Sequence, residues 1–218
     1  MSEEIIKEGN PLLDTSQLLV NLMVLDVLWI ICCIPIVTLG ASTTALNYTC
    51  IKLQRDEGDS VIRMFFKSFI SNIRQGLVLG TGFEAALIII TACLLQMLGS
   101  INAGHGLSVL FAVALVLLLF LWVTAFTYVF MVLARFDNSL LRTITNAVYF
   151  MSRNVFRTVR VFAILAFGFI IVPYIFWTFI PALFPLLIFF GIPTMVYLCA
   201  GIFNKEIFAE YVDKSKGR

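Results

Sequence analysis

Charge is scarce in this 218-residue chain: Asp, Glu, Lys and Arg make up only 13%, against 61% hydrophobic residues. A soluble domain carries about 25% charged and about 45–50% apolar residues. A globule of this size in water has too little polar surface to cover so much apolar surface. The composition therefore excludes an ordinary soluble fold and makes lipid the expected solvent. Histidine is nearly missing, with His105 alone in a glycine turn. The five cysteines, Cys32, Cys33, Cys50, Cys93 and Cys199, form no C-x-x-C pair and have no histidine nearby. Four of them lie in apolar runs and read as small hydrophobes rather than as a metal or redox set. No G-x-x-x-x-G-K-[ST], H-E-x-x-H or G-x-S-x-G motif occurs, so the enzyme classes carrying those signatures are unsupported. No catalytic, cofactor or metal residue is expected, and the chain reads as a non-enzyme. The first residues, MSEEIIKEGNPLLD, are acidic where a secretory signal needs a basic start, so no signal peptide is expected.

What is present is a series of apolar runs near the length of about 20 residues that a membrane-crossing helix requires. The expected fold is all-α: a polytopic integral membrane helical bundle of one domain, 1–218, with five strong transmembrane spans and a polar helix as a sixth. The spans are placed at about 18–35, 37–55, 77–98, 107–134, 161–180 and 183–203. Amphipathic helices are placed at about 60–75 and 137–158, where apolar residues recur at helical spacing and basic residues favour the other face. Two topologies stay open at the first break. If 18–39 is one span, there are five and the N-terminus is outside. If the chain turns at 35–40, there are six and the N-terminus is inside; this hairpin is preferred. The polar side chains of 37–55 must then face other helices, because lipid offers them no partner.

Basic residues fall in three clusters: Lys52, Arg55, Arg63, Lys67 and Arg74; Arg135, Arg142, Arg153, Arg157 and Arg160; and Lys205, Lys214, Lys216 and Arg218. The turns at 99–106 and near Pro181 have none. Excess Lys and Arg marks cytoplasmic segments, which puts all three clusters and the C-terminus inside. The amphipathic helices then lie on the anionic inner leaflet, and nucleic acid is not an expected partner. A weak echo, Ser60-Val-Ile-Arg63 against Ser139-Leu-Leu-Arg142, is weighed as a parallel repeat and less favoured than two independent amphipathic helices.

Asp26 and Glu84 are the acids well inside apolar runs. A charge at mid-bilayer costs about 2.5–3.5 kcal/mol on the insertion scale, so such a group faces the bundle interior. It serves either a proton or solute site or a hydrogen bond that holds helices together. Gly76, Gly80 and Glu84 share one helix face at four-residue spacing, and a G-x-x-x-G face lets another backbone approach. The Thr43, Thr44 and Asn47 face of the polar helix is a candidate partner. These five residues, Asp26, Glu84, Thr43, Thr44 and Asn47, form the candidate intramembrane polar site. Arg55-Asp56-Glu57-Gly58-Asp59 reads as a helix stop rather than a cation site, because basic residues flank it. Pro173, Pro181, Pro185, Gly191 and Pro193 interrupt the last two spans as kinks or as the broken helices of a binding site.

The first third closely resembles the YesL-like family of bacterial integral membrane proteins, a family of unknown function. The resemblance is carried by Asn10-Pro11-Leu12, Leu28-Trp29, Cys33-Ile-Pro35-Ile-Val-Thr38-Leu-Gly40-Ala-Ser42-Thr-Thr44-Ala45-Leu-Asn-Tyr48, then Lys52, Arg55-Asp56-Glu57 and Phe65-Phe66-Lys67-Ser-Phe69. Beyond Leu77 the match is mainly in hydropathy and at Arg135-Phe136. The resemblance implies a multi-pass protein of the bacterial plasma membrane. Members of the family tend to be encoded beside carbohydrate uptake and polysaccharide breakdown systems, often with ABC permeases. It therefore implies a sugar-uptake context and, with the lack of an ATPase-coupling loop, leads to the expectation of an accessory or regulatory component of carbohydrate uptake, with a carbohydrate ABC transporter as a candidate partner. It assigns no mechanism. Glu84-Ala85-Ala86 spells the start of the permease coupling-loop motif, but within an apolar run and without the downstream glycine spacing, so docking of a transport ATPase in the usual way is not expected. The alternative, from Asp26, Glu84 and the broken terminal helices, is a small-solute transporter or channel in its own right.

Overall fold

The protein is described from a computed structural model, which covers residues 11–55, 57, 60–102, 107–136, 138–179 and 184–208. His105, Asp56, Gly58, Asp59, Pro181 and the basic residues of the C-terminal tail, Lys214, Lys216 and Arg218, lie outside the described residues. The described residues are helical, with no strand among them. The helices are α1 (Pro11–Cys33), α2 (Leu39–Leu53), α3 (Val61–Asn102), α4 (Leu107–Arg135), α5 (Leu140–Arg153), α6 (Val155–Ala166), α7 (Val172–Phe179) and α8 (Phe184–Ile202). Short π-helical segments, Phe167–Ile171 and Phe203–Ile207, join α6 to α7 and follow α8. Among the described residues, three helices are long and apolar enough to cross a membrane: Ser16–Cys33, Val61–Ser100 and Leu107–Arg135.

The chain turns at Pro35. Cys33 ends α1, a single 3-10 turn covers Ile36–Thr38, and α2 runs back along α1. Trp29 Nε1 donates to Thr43 Oγ1 at 3.4 Å and Ser42 Oγ donates to the Cys32 carbonyl at 3.0 Å, contacts that only an antiparallel return allows. The break of the hairpin topology is therefore present. However, α2 has 15 residues, about 22 Å at 1.5 Å per residue, and is not among the three helices of crossing length.

Two expectations of separate elements need correction. The amphipathic stretch at 60–75 and the span at 77–98 form one uninterrupted helix of 42 residues, roughly 63 Å long. Gly76 does not end it, because a glycine in a packed helix interior costs only about 1 kcal/mol relative to Ala and close packing at that point offsets the loss. Conversely, the stretch at 137–158 breaks at Asn154 (φ −116°, ψ 45°). The Asn154 side chain closes α5 by donating from Nδ2 to the Phe150 carbonyl at 2.9 Å. Its own carbonyl opens α6 by accepting from Thr158 Oγ1 at 2.9 Å and the Thr158 N–H at 2.8 Å. The helix assigned to 161–180 thus starts at Val155.

The core sits at one end of the bundle. Leu25, the buried face of α2, Phe65 of α3, Tyr128–Ala134 of α4, Phe150 of α5 and Phe203, Ile207 and Phe208 pack together there. Away from that end, apolar side chains face outward: Ile88, Ile89 and Leu95 on α3, and Leu107, Leu110, Phe111 and Leu117 on α4.

Candidate functional site

The candidate site is built around α2, and α2 is placed by glycine. A Cβ on Gly40 would meet the Gly76 carbonyl oxygen and, at 2.8 Å, the Gly80 Cα. A Cβ on Gly76 would lie 2.6 Å from the Ala41 Cα, and one on Gly80 would lie 2.9 Å from the Gly40 nitrogen. The two backbones are in direct contact, as the G-x-x-x-G spacing predicts. The helix that approaches is α2, which also carries Thr43, Thr44 and Asn47, and it makes the contact at Gly40 and Ala41. Small residues four apart on α2, Gly40 with Thr44 and Ala41 with Ala45, are the signal that could have located it.

The hydroxyls of α2 are engaged within the hairpin. Thr44 Oγ1 donates to the Gly40 carbonyl at 2.8 Å and Thr49 Oγ1 to that of Ala45 at 2.9 Å, both buried. Thr43 accepts from Trp29, as above, and Asn47 is buried on the same helix. Ser42 also donates to the Thr38 carbonyl at 3.0 Å, and Thr38 Oγ1 donates to the carbonyls of Cys32 (2.5 Å) and Pro35 (2.7 Å). Side-chain donors thus satisfy the Cys32 carbonyl at the end of α1, where the last carbonyls have no helical partner.

The two acids occupy different places. Asp26 is fully buried (0% exposed), and neither carboxylate oxygen has a hydrogen-bond partner. Glu84 follows Gly80 by one turn on α3, and its Oε1 is buried without a partner. Asp26 precedes Cys33 by seven residues, about 10 Å along α1. The structure brings Thr43, Thr44 and Asn47 onto one buried helix and joins Thr43 to α1 through Trp29. It sets Asp26 and Glu84 at two levels, with no bond from Asp26 to any of the other four.

A second polar feature, which the sequence did not single out, ties the basic end together. Lys52 bonds Glu57, Arg55 Nη1 lies 3.6 Å from Glu57 Oε1, and Arg55 Nε donates to Asn204 Oδ1 at 2.7 Å. The Lys52 ammonium holds the Glu57 carboxyl below its ordinary range, with Arg55 and Arg135 adding to the effect. Arg160 grips Glu206 through its two terminal guanidinium nitrogens, and Arg157 Nε lies 3.6 Å from Glu206 Oε2. Nearer the core, the Tyr128 hydroxyl meets Thr158 Oγ1 at 2.7 Å, joining α4 to α6. The contacts of Glu57 are local, but Arg55 with Asn204, Arg157 and Arg160 with Glu206, and Tyr128 with Thr158 lie far apart in the chain, so periodicity could not pair them. Among the described residues, no group of His, Cys, Asp and Glu could hold a metal ion.

Compared with known proteins, residues 22–93 match a family model described as "Protein of unknown function, DUF624". The matched segment takes in the break at Pro35, α2 and the glycine crossing, and it overlaps the stretch that carries the YesL-like resemblance. No curated protein and no solved structure matches the chain.

Proposed function

We propose that the protein is a multi-pass component of the bacterial plasma membrane that acts as a non-enzymatic accessory or regulatory subunit of carbohydrate uptake, with its basic end and C-terminus in the cytoplasm. The observation that carries the accessory role is the state of α2. Its hydroxyls donate to carbonyls of the hairpin, and its backbone lies against that of α3. A helix used in this way fixes the architecture and lines no path for a solute between α2 and α3. The carbohydrate context comes from the YesL-like resemblance, with a carbohydrate ABC transporter as the partner. The test is to purify the protein in mild detergent with the neighbouring transporter co-expressed, and to measure sugar uptake after deletion. Co-purification with reduced uptake supports the role; recovery alone with unchanged uptake overturns it.

A second reading, a small-solute transporter or channel, is favoured by Asp26. A fully buried acid without a hydrogen-bond partner is costly to keep, which is the expected state of a group that exchanges a proton or ion. Proteoliposome flux separates the two readings. Flux abolished in Asp26→Asn and reduced in Glu84→Gln supports transport; no flux in the parent, together with an Asp26→Asn variant that is as stable or more stable, identifies Asp26 as structural.

A further inference from the structure

The turn between α1 and α2 has the wrong chemistry for an aqueous face. Its residues are Ile34-Pro35-Ile36-Val37, and Ile34, Ile36 and Val37 are 76%, 70% and 51% exposed. Apolar exposure continues down α1 through Val20, Val27 and Ile31. A turn facing water is normally built from polar residues whose backbone groups water can solvate. Here several of the backbone groups are satisfied internally. The Ile34 N–H donates to the Ile31 carbonyl at 3.3 Å and the Thr38 N–H to the Pro35 carbonyl at 2.9 Å. Hydroxyls of Thr38 and Ser42 cover the carbonyls of Cys32, Pro35 and Thr38. Pro35 brings no N–H of its own. Internal bonds of this kind are what backbone entering hydrocarbon needs.

The position of the turn along α3 fixes how far it reaches. It is held at Gly76 and Gly80 by the glycine crossing, and α3 continues from Gly80 to Asn102, roughly 33 Å further. Those residues, and the facing half of α4, carry outward Ile88, Ile89, Leu95, Leu98, Leu110 and Leu117. The apolar part of that run, Gly80 to Leu98, is about 27 Å long, most but not all of a hydrocarbon layer of about 30 Å, so a turn beside Gly80 stands just inside the layer at the face where the hairpin enters. If the turn stood at the far aqueous face, all of that apolar helix would project into water.

We propose that α1 and α2 form a re-entrant hairpin. It enters the bilayer at the face where Arg63, Lys67 and Arg74 lie, turns inside the hydrocarbon at Ile34–Val37, and returns to the same face. The partner of the exposed tip is lipid acyl chain, the same solvent that covers the outward faces of α3 and α4. The hairpin then counts as neither one span nor two. The proposal rests on the membrane reading above, and the experiment separates the two.

The experiment places a nitroxide spin label at single introduced cysteines in the full chain, reconstituted in phosphatidylcholine–phosphatidylglycerol vesicles. The background is Cys32→Ser, Cys33→Ala and Cys93→Ala, with buried Cys50 and Cys199 retained and the unsubstituted background serving as the blank. Labels go at Ile36→Cys, at Ile34→Cys as a second probe of the tip, at Leu117→Cys on α4 and at Lys67→Cys on the basic part of α3. Collision with oxygen, which concentrates in hydrocarbon, is compared with collision with a water-soluble nickel chelate. At Ile36, Ile34 and Leu117, oxygen is expected to exceed the chelate several-fold; at Lys67 the order reverses. Chelate access at Ile36 and Ile34, with Leu117 still in lipid, puts the turn in water and overturns the re-entrant hairpin alone. Ile36 and Ile34 shielded from both reagents means a second copy or another protein covers the tip, which overturns lipid as the occupant. Chelate access at Leu117 overturns the membrane reading itself.

Discussion

Helix α2 and the far halves of α3 and α4 divide the residue types in the reverse of the order found in water-soluble proteins. On α2, Ser42, Thr44 and Thr49 have no exposed surface and Asn47 has almost none. On α4, Leu110 and Leu117 are 68% and 65% exposed, and on α3, Ile88 is 69% exposed. In water, burying the first set without partners and exposing the second would each cost free energy. In lipid the second set needs no cover, and cohesion comes instead from close backbone approach and hydrogen bonds. The difference teaches that polarity locates the inside of this molecule and apolarity its outside.

The comparison breaks most decisively at the glycine crossing. Gly40→Leu or Gly76→Val forces a side chain into backbone and is expected to cost about 3 kcal/mol or more, read as loss of a monodisperse folded fraction in detergent. Gly82→Ala on the same α3 meets nothing within 4 Å and is expected to be neutral or to stabilise by up to about 1 kcal/mol. Next comes the exposed apolar surface. Leu117→Arg is expected to lower membrane insertion by about 2.5–3.5 kcal/mol, whereas Leu117→Ala keeps it nearly unchanged; a soluble protein would tolerate the arginine there better than lipid does. A smaller contrast lies in the hydroxyls. Thr44→Val removes a buried bond and is expected to cost about 1 kcal/mol in thermal melts. Thr81→Val, which removes an exposed bond to the Leu77 carbonyl, is expected to cost less than half as much.

The smallest effect lies outside both regions, at the basic end. Because the Glu57 pKa is lowered on folding, its contribution is fully present above the ordinary carboxylate pKa of about 4.3 and is lost as pH falls through the lower folded value. The group is well exposed, so Glu57→Gln at neutral pH is expected to cost no more than about 0.5 kcal/mol. The difference between parent and variant should shrink as the pH falls below the ordinary carboxylate range, which melts at pH 7 and at a series of acid pH values would check.

Much of the central feature was legible from residue types alone. Pro35 and Gly40 marked the break, and the Ser/Thr/Asn content of 37–55 pointed to a helix that faces protein. Gly76 and Gly80 demanded a backbone neighbour. What was not legible depends on contacts between distant residues. Nothing local distinguishes Gly76 as a packing point from Gly76 as a helix end, so the continuity of α3 could not be read. Asn154 reads as an ordinary polar residue until its side chain and carbonyl are seen closing one helix and opening the next. The helix that meets Gly76 and Gly80 is the polar one that supplies Thr43, Thr44 and Asn47, but the contact point at Gly40 and Ala41 carries no hydroxyl to draw attention to it. Pairing Arg160 with Glu206 needed the fold itself.

The glycine crossing also has a consequence in time. Gly40 is made 36 residues before Gly76 and 40 before Gly80. At about 5–20 residues per second, α2 exists for some seconds without the surface it packs against. During that interval its hydroxyls can bond to its own carbonyls, as Thr44 and Thr49 do, but its backbone groove stays open. Synthesis therefore sets an order of assembly in which α1 and α2 wait at the membrane for α3. A variant that delays or weakens that meeting would fail during biogenesis before any loss of equilibrium stability could be measured.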